Sequence, residues 1–237
     1  MIANSDLVDA PQSVVRSSTD RVSAFLSAVY GWMCVGLALT AGTAWFVAGS
    51  PALLSAIAGN RLVFWGLMIA QLGIVVALSA RVQRLAVSTA ALLFILYSAL
   101  TGLTISFVLL AFTGESVATT FLVTAGMFGG LAVYGTVTRR SLAGLGQFLF
   151  MGLMGVVLAS VVGMFWHSDG LQFVLSFVGV IVFTGLAAYD AQRLKAMAQT
   201  TPEGRVGSYA IVGALTLYLD FINIFLFLLR LTGSRRE

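Results

Sequence analysis

From Gly170 to Tyr189 the chain carries no charged residue, and from Val206 to Leu219 again none. Each run ends in an aspartate, Asp190 or Asp220, and nine more uncharged residues separate Asp220 from Arg230. About 20 apolar residues in a helix cross the ~30 Å hydrocarbon core of a bilayer, so runs of this length read as membrane spans. Charged residues and turn formers divide the whole chain into seven such segments, over 24–48, 62–80, 86–111, 117–138, 143–166, 171–193 and 208–231. Backbone groups find no water in lipid, so a span is either a helix or part of a closed barrel. The runs lack period-two alternation, which selects helices. The expected fold is an all-α integral membrane protein, a single seven-helix domain over 22–237 behind a flexible cytosolic tail over 1–21.

Composition removes several other readings. Charged residues make up 9% of the chain, against about 25% in soluble domains. One cysteine, Cys34, and one histidine, His167, allow no internal disulfide and no usual zinc site. The net charge of +4 comes with no basic stripe of interleaved aromatics, so nucleic acid is not an expected partner. Residues 1–21 hold Asp6, Asp9, Arg16, Asp20 and Arg21 and precede the first apolar run, unlike a signal peptide.

Arginine and lysine in the connections set the orientation. With the N-terminus in the cytoplasm, the inner side collects Arg16, Arg21, Arg81, Arg84, Arg139, Arg140, Arg193, Lys195 and Arg205. The outer side receives Arg61, Arg235 and Arg236, beside Glu115 and Asp169. Seven complete spans leave Arg235 and Arg236 outside, against the rule. A broken or re-entrant last segment would return them inside; seven spans is the reading adopted. Trp45, Trp65 and Trp166 lie near span ends, where interfacial aromatics belong. Gly126-x-x-x-Gly130 and Ala38-x-x-x-Gly42 have the spacing of close helix packing, and are expected to serve ordinary contacts within the bundle.

Carboxylates inside a span are costly and face a bundle interior or a water-filled path. Asp220 lies about twelve residues into its span, too deep for a short side chain to reach the interface. Asn223 follows at i+3 on the same face, and Arg230, roughly 15 Å further along the axis, falls on about the same side. Asp190 is followed at i+3 by Arg193, which permits a local ion pair. The sixth and seventh spans are antiparallel neighbours, so Asp190 and Asp220 can meet. Two carboxylates in contact cannot both ionise cheaply and should titrate as a unit, the property of a pH sensor. Calcium prefers six to eight oxygens, so the pair alone would make a weak, transient calcium site, which suits conduction. Gln71 is a further intramembrane polar partner, with an interhelical hydrogen bond as its plainest role. Glu115, His167 and Asp169 read as loop residues.

Tyr189-Asp190-Ala191-Gln192-Arg193-Leu194-Lys195 resembles the signature of the Bax inhibitor-1 family, the transmembrane Bax-inhibitor-motif proteins. Gly213 to Asn223 is similar to that family's last-span signature. Thr113 to Val117 and Phe148 to Leu153 look like bacterial members. The resemblance implies a bundle with the last helix central and a pH-sensitive calcium leak. It implies that Asp190 and Asp220 form a di-aspartyl sensor, with Arg230 as a partner on the last span. It also implies no resident cofactor and a bacterial inner membrane. Members are linked to suppression of cell death in eukaryotes and to control of membrane proteolysis in bacteria. Ala191 departs from the family's threonine, and Gln71 stands where some relatives carry glutamate.

Three other functions compete. An intramembrane aspartyl protease also pairs aspartates on successive helices, but Leu217-Tyr218-Leu219-Asp220 lacks its Gly-x-Gly-Asp, and Pro51-Ala52-Leu53 is far from the aspartates. A non-conducting regulator of a membrane protease, or of another membrane-protein partner, is compatible with the residues. A proton-coupled transporter would show paired broken helices, which the sequence lacks. The expectation is therefore a non-enzymatic cation leak whose partners are calcium or other cations and membrane lipids.

Overall fold

The computed structural model describes residues 10–166 and 168–236, and His167 lies outside them. Among the described residues, eight α-helices follow one another: α1 (Ala10–Ala48), α2 (Pro51–Ala58), α3 (Arg61–Arg81), α4 (Val87–Ala111), α5 (Gly114–Val137), α6 (Ala143–Phe165), α7 (Asp169–Thr200) and α8 (Val206–Thr232). All but α2 are long and apolar enough to cross a membrane. They coincide within a few residues with the seven segments expected from the sequence.

The helix ends follow from local chemistry. Asn60 Oδ1 accepts from the backbone N–H of Leu62 at 3.0 Å and starts α3, as Thr113 and Ser168 start α5 and α7. Pro51 opens α2, a position where its missing N–H costs nothing. Pro202 stops α7, and one 3-10 turn over Glu203–Arg205 leads into α8. Three boundaries differ from expectation. Residues 10–21, expected within the tail, already belong to α1, and residues 1–9 lie outside the described part. The connection over 51–58 is helical. Helix α7 runs seven residues past Arg193, carried by the helix formers Leu194, Lys195, Ala196, Met197 and Ala198.

Helix α8 is the most deeply buried span and packs against α1, α3, α4, α5 and α7. Helix α6 packs chiefly on α7, and α3 chiefly on α4, so crevices remain between α6, α3 and α8. Close approaches use glycines other than those expected. A Cβ at Gly135 would overlap the Ala188 carbonyl of α7, and one at Gly102 would meet the Thr40 carbonyl of α1. Gly126, Gly130 and Gly42 instead have open space where a Cβ would be. Their four-residue spacing therefore marks no contact within the bundle, which corrects the packing role expected for them.

The last span is complete. Beyond it, Ser234 O accepts from Thr113 N at 3.0 Å, and Arg236 N donates to Ala111 O at 3.1 Å. This clasp fixes the C-terminal residues beside the α4–α5 connection, on the membrane face opposite the start of α1. No re-entrant turn returns them. Trp45, Trp65 and Trp166 are all exposed near that same face.

Candidate functional site

Two residues of α8 set the geometry. Successive helical residues are ~100° apart, so Tyr218 and Asp220 point to nearly opposite sides. Tyr218 is fully buried among α1 and α4, edge-on to Phe94 and Tyr97 at 5.8 Å. Thr40 Oγ1 gives its proton to Ser98 O at 2.9 Å, so the 2.6 Å contact between Thr40 and Tyr218 is donated by the Tyr218 hydroxyl. That anchor fixes the rotation of α8 and turns Asp220 toward α7.

Asp190 is brought to meet it by the residues that flank it on α7. The Tyr189 ring lies over Gly146 of α6, and Ala191 packs against Gly135 of α5. Gln192 Oε1 accepts from Leu142 N at 2.8 Å while its Nε2 donates to Arg140 O at 2.9 Å. Lys195 Nζ donates to Thr136 O at 2.6 Å. The run from Tyr189 to Lys195 is thus a clamp joining α7 to α5, α6 and their connection. With the clamp in place, Asp190 of α7 and Asp220 of α8 line one cavity. Both side chains are buried, Asp190 at 8% exposure and Asp220 at 4%. Asp220 Oδ2 has no hydrogen-bond partner, an unusual state for a buried polar atom.

Three cavities string together along α8. The largest, about 870 Å³, contains both carboxyl groups with Gln71, Gln147, Thr216 and Asn223. Toward the N-terminal end of α8 it adjoins a cavity of about 210 Å³ through Asp190, Arg193 and Thr216. Toward the other end it adjoins one of about 600 Å³ through Asn223 and Phe183, and this cavity holds Arg230. Tyr209 lines the first end and Arg230 the last. At ~1.5 Å per residue they are roughly 30 Å apart along α8, the thickness of the hydrocarbon core.

Each residue singled out from the sequence has a place in this row. Asp190, Asp220, Asn223, Gln71 and Arg193 share the central cavity. Arg193 lines the central and the neighbouring cavity together with Asp190. The amide of Asn223 donates to Leu219 O at 2.8 Å. Gln71 turns away from the carboxylates, donating to Thr104 Oγ1 at 2.8 Å and to Leu100 O at 3.4 Å on α4. Arg230 is apart from the aspartates, exposed within its own cavity, with its guanidinium 6.0 Å from the Phe227 ring centre. Gln147 and Thr216 went unnoticed in the sequence. Thr216, Asp220 and Asn223 follow helical spacing, and that period was readable; Gln147 was a lone amide in an apolar run.

The fold and site are those of an all-α, polytopic membrane protein with a carboxylate buried in its last span. The pattern of the family described as "Inhibitor of apoptosis-promoting Bax1" matches residues 22–237, and the chain belongs to that family. It is 51% identical over 215 residues to the inner membrane protein YbhL of Escherichia coli K12, covering 90% of this chain and 92% of that protein. A protein of Deinococcus radiodurans is 43% identical over 221 residues, covering 93% and 94% of the two chains. One from Borreliella burgdorferi is 42% identical over 215 residues, covering 90% and 93%. The protein is an integral membrane protein of bacterial inner-membrane type.

Proposed function

We propose that this protein is a pH-sensitive cation leak pathway, with calcium as the favoured ion and the Asp190–Asp220 pair as its gate. The observation that carries the reading is the position of that pair: two buried carboxyl groups lining the central member of a cavity row about as long as the hydrocarbon is thick, with Asp190 also lining the neighbouring cavity. Carboxyl groups in contact titrate as one unit, so a change of proton count alters charge and packing together. The unpartnered Asp220 Oδ2 supplies an oxygen for a proton, a water or a passing cation. The amides of Gln147 and Asn223 and the hydroxyl of Thr216 offer further oxygens in the same cavity. Two carboxylates are few for calcium, which prefers six to eight oxygens, and weak binding favours release over storage. The N-terminus is assigned to the cytoplasm on the distribution of arginine and lysine, and no catalytic step is assigned to the aspartates.

The test is calcium and monovalent-cation flux into proteoliposomes from mildly acidic to mildly alkaline pH. Wild type is expected to conduct with a pH-dependent rate. Asp190→Asn, Asp220→Asn and the double variant are expected to share one flat profile, because the pair acts as a unit. No flux of any cation at any pH would refute the leak and leave a non-conducting role toward membrane-protein partners.

A further inference from the structure

The cavity at the C-terminal end of α8 combines a cation with an apolar trough. Arg230 lies two residues from the end of its helix, at the level where a span meets the headgroups. Its electrostatic neighbour is another cation, Arg235, which the C-terminal clasp holds at the same membrane face beside Arg236. Among the described residues, Glu115 and Asp169 are the acidic residues of that face; they are exposed at the starts of α5 and α7 and do not line the cavity. The same wall includes two polar residues, Gln172 near the start of α7 and Ser160 on α6. Deeper, it is made of Val157, Leu175 and Leu226, down to Asn223, roughly 10 Å further along α8. Val157 and Val161 are about half exposed, at 47% and 49%, so the trough is open sideways to the bilayer.

We propose that this cavity seats one anionic phospholipid, its phosphate on Arg230 and Gln172 and one acyl chain along Val157, Leu175 and Leu226. A guanidinium presents paired N–H donors that match a phosphate, and basic pockets between membrane helices take up lipid headgroups. The order of the lining, cationic at the interface and apolar below, is the order of groups in a lipid. A free phosphate would gain nothing from the apolar limb. The charge of Arg230, with no acidic residue among the described ones that line the cavity, selects a net negative headgroup over a zwitterionic one. The same cavity is the outer member of the row read above as a leak path, so a seated lipid would lie in that path; lipid retention is measured apart from flux, and each reading can fail without the other.

Native mass spectrometry of the purified full chain tests it, using phosphatidylglycerol and phosphatidylcholine with identical chains, with and without excess inorganic phosphate. One phosphatidylglycerol should be retained about fivefold better than phosphatidylcholine, the effect of one basic residue near anionic lipid, and phosphate should not displace it. Arg230→Gln should abolish the preference, Arg230→Lys should keep part of it, and Arg61→Gln, an arginine at the same face outside the cavity, should leave it intact. Val157→Trp, on the exposed wall where folding tolerates it, should lower retention of both lipids by filling the trough. A preference that survives Arg230→Gln, displacement by inorganic phosphate, or unchanged retention in Val157→Trp would each overturn the proposal.

Discussion

Helices α3 and α8 are nearly equal in mean hydropathy, yet 12% of one span's apolar window is buried and 67% of the other's. Hydropathy sorts a segment into the bilayer; it does not say where in the bundle the segment stands. The difference lies in the polar and small residues. Helix α8 carries Thr216, Asp220 and Asn223 on one face and the hydroxyl of Tyr218 on another, so no orientation toward lipid would satisfy it. Gly213, Ala210 and Ala214 let its neighbours close in on it. Helix α3 offers one amide, Gln71, which is satisfied by a single neighbour, and apart from Ile74 and Leu78 most of its surface is left to lipid.

Substitutions in matched pairs can break that contrast. The largest effect is expected where backbones touch. Gly135→Ala drives a Cβ into the Ala188 carbonyl and should destabilise the bundle by about 3 kcal/mol or more. Gly126→Ala, on the same helix with open space around it, should be neutral or slightly stabilising, by less than about 1 kcal/mol. Thermal unfolding in one detergent compares the two, and equal losses would show that α5 does not pack on α7 through Gly135. Next comes the core of α8. Leu217→Ala, at a fully buried position, should cost about 2 kcal/mol: lipid is as apolar as leucine, so the loss is mainly the cavity. Leu72→Ala, 66% exposed on α3, should lie within about 0.5 kcal/mol of wild type. Comparable melting shifts would mean that the two helices are equally buried. The smallest effect belongs to the amide of α3. Gln71→Leu removes its bond to Thr104 and should cost about 0.6 kcal/mol, the average for a hydrogen bond between membrane helices. A larger loss in unfolding measurements would give α3 more than a peripheral place.

The sequence made the spans legible because the bilayer imposes one length on all of them. It was less informative where the bilayer stops acting. Arg193 and Lys195 suggest the end of a span, but α7 continues to Thr200, with Leu194 and Ala198 buried. Residues 51–58 are too few to cross and were taken for loop, although Pro51 and the residues after it suit a short helix. The meeting of Asp190 and Asp220 could be anticipated from antiparallel neighbours with one carboxylate each. The clamp made by Gln192 and Lys195 could not, because their partners are backbone carbonyls and an N–H some 50 to 60 positions away. Gly126 and Gly130 misled for a physical reason: a small side chain permits contact, and only the facing helix decides whether contact is made.

The clasp between the C-terminal residues and the α4–α5 connection bears on how the molecule comes into being. Chains are made from the N-terminal end, and here the most buried helix is the seventh of the seven described spans to be made. Until α8 arrives, the six earlier spans have no common partner, and the faces that later enclose Asp220 must meet lipid or one another. Ser234 and Arg236, made just after it, then tie the finished helix to a loop completed more than a hundred residues earlier. Assembly of this bundle is a late insertion followed by a latch, and a chain truncated a few residues early would lose the latch while keeping every span.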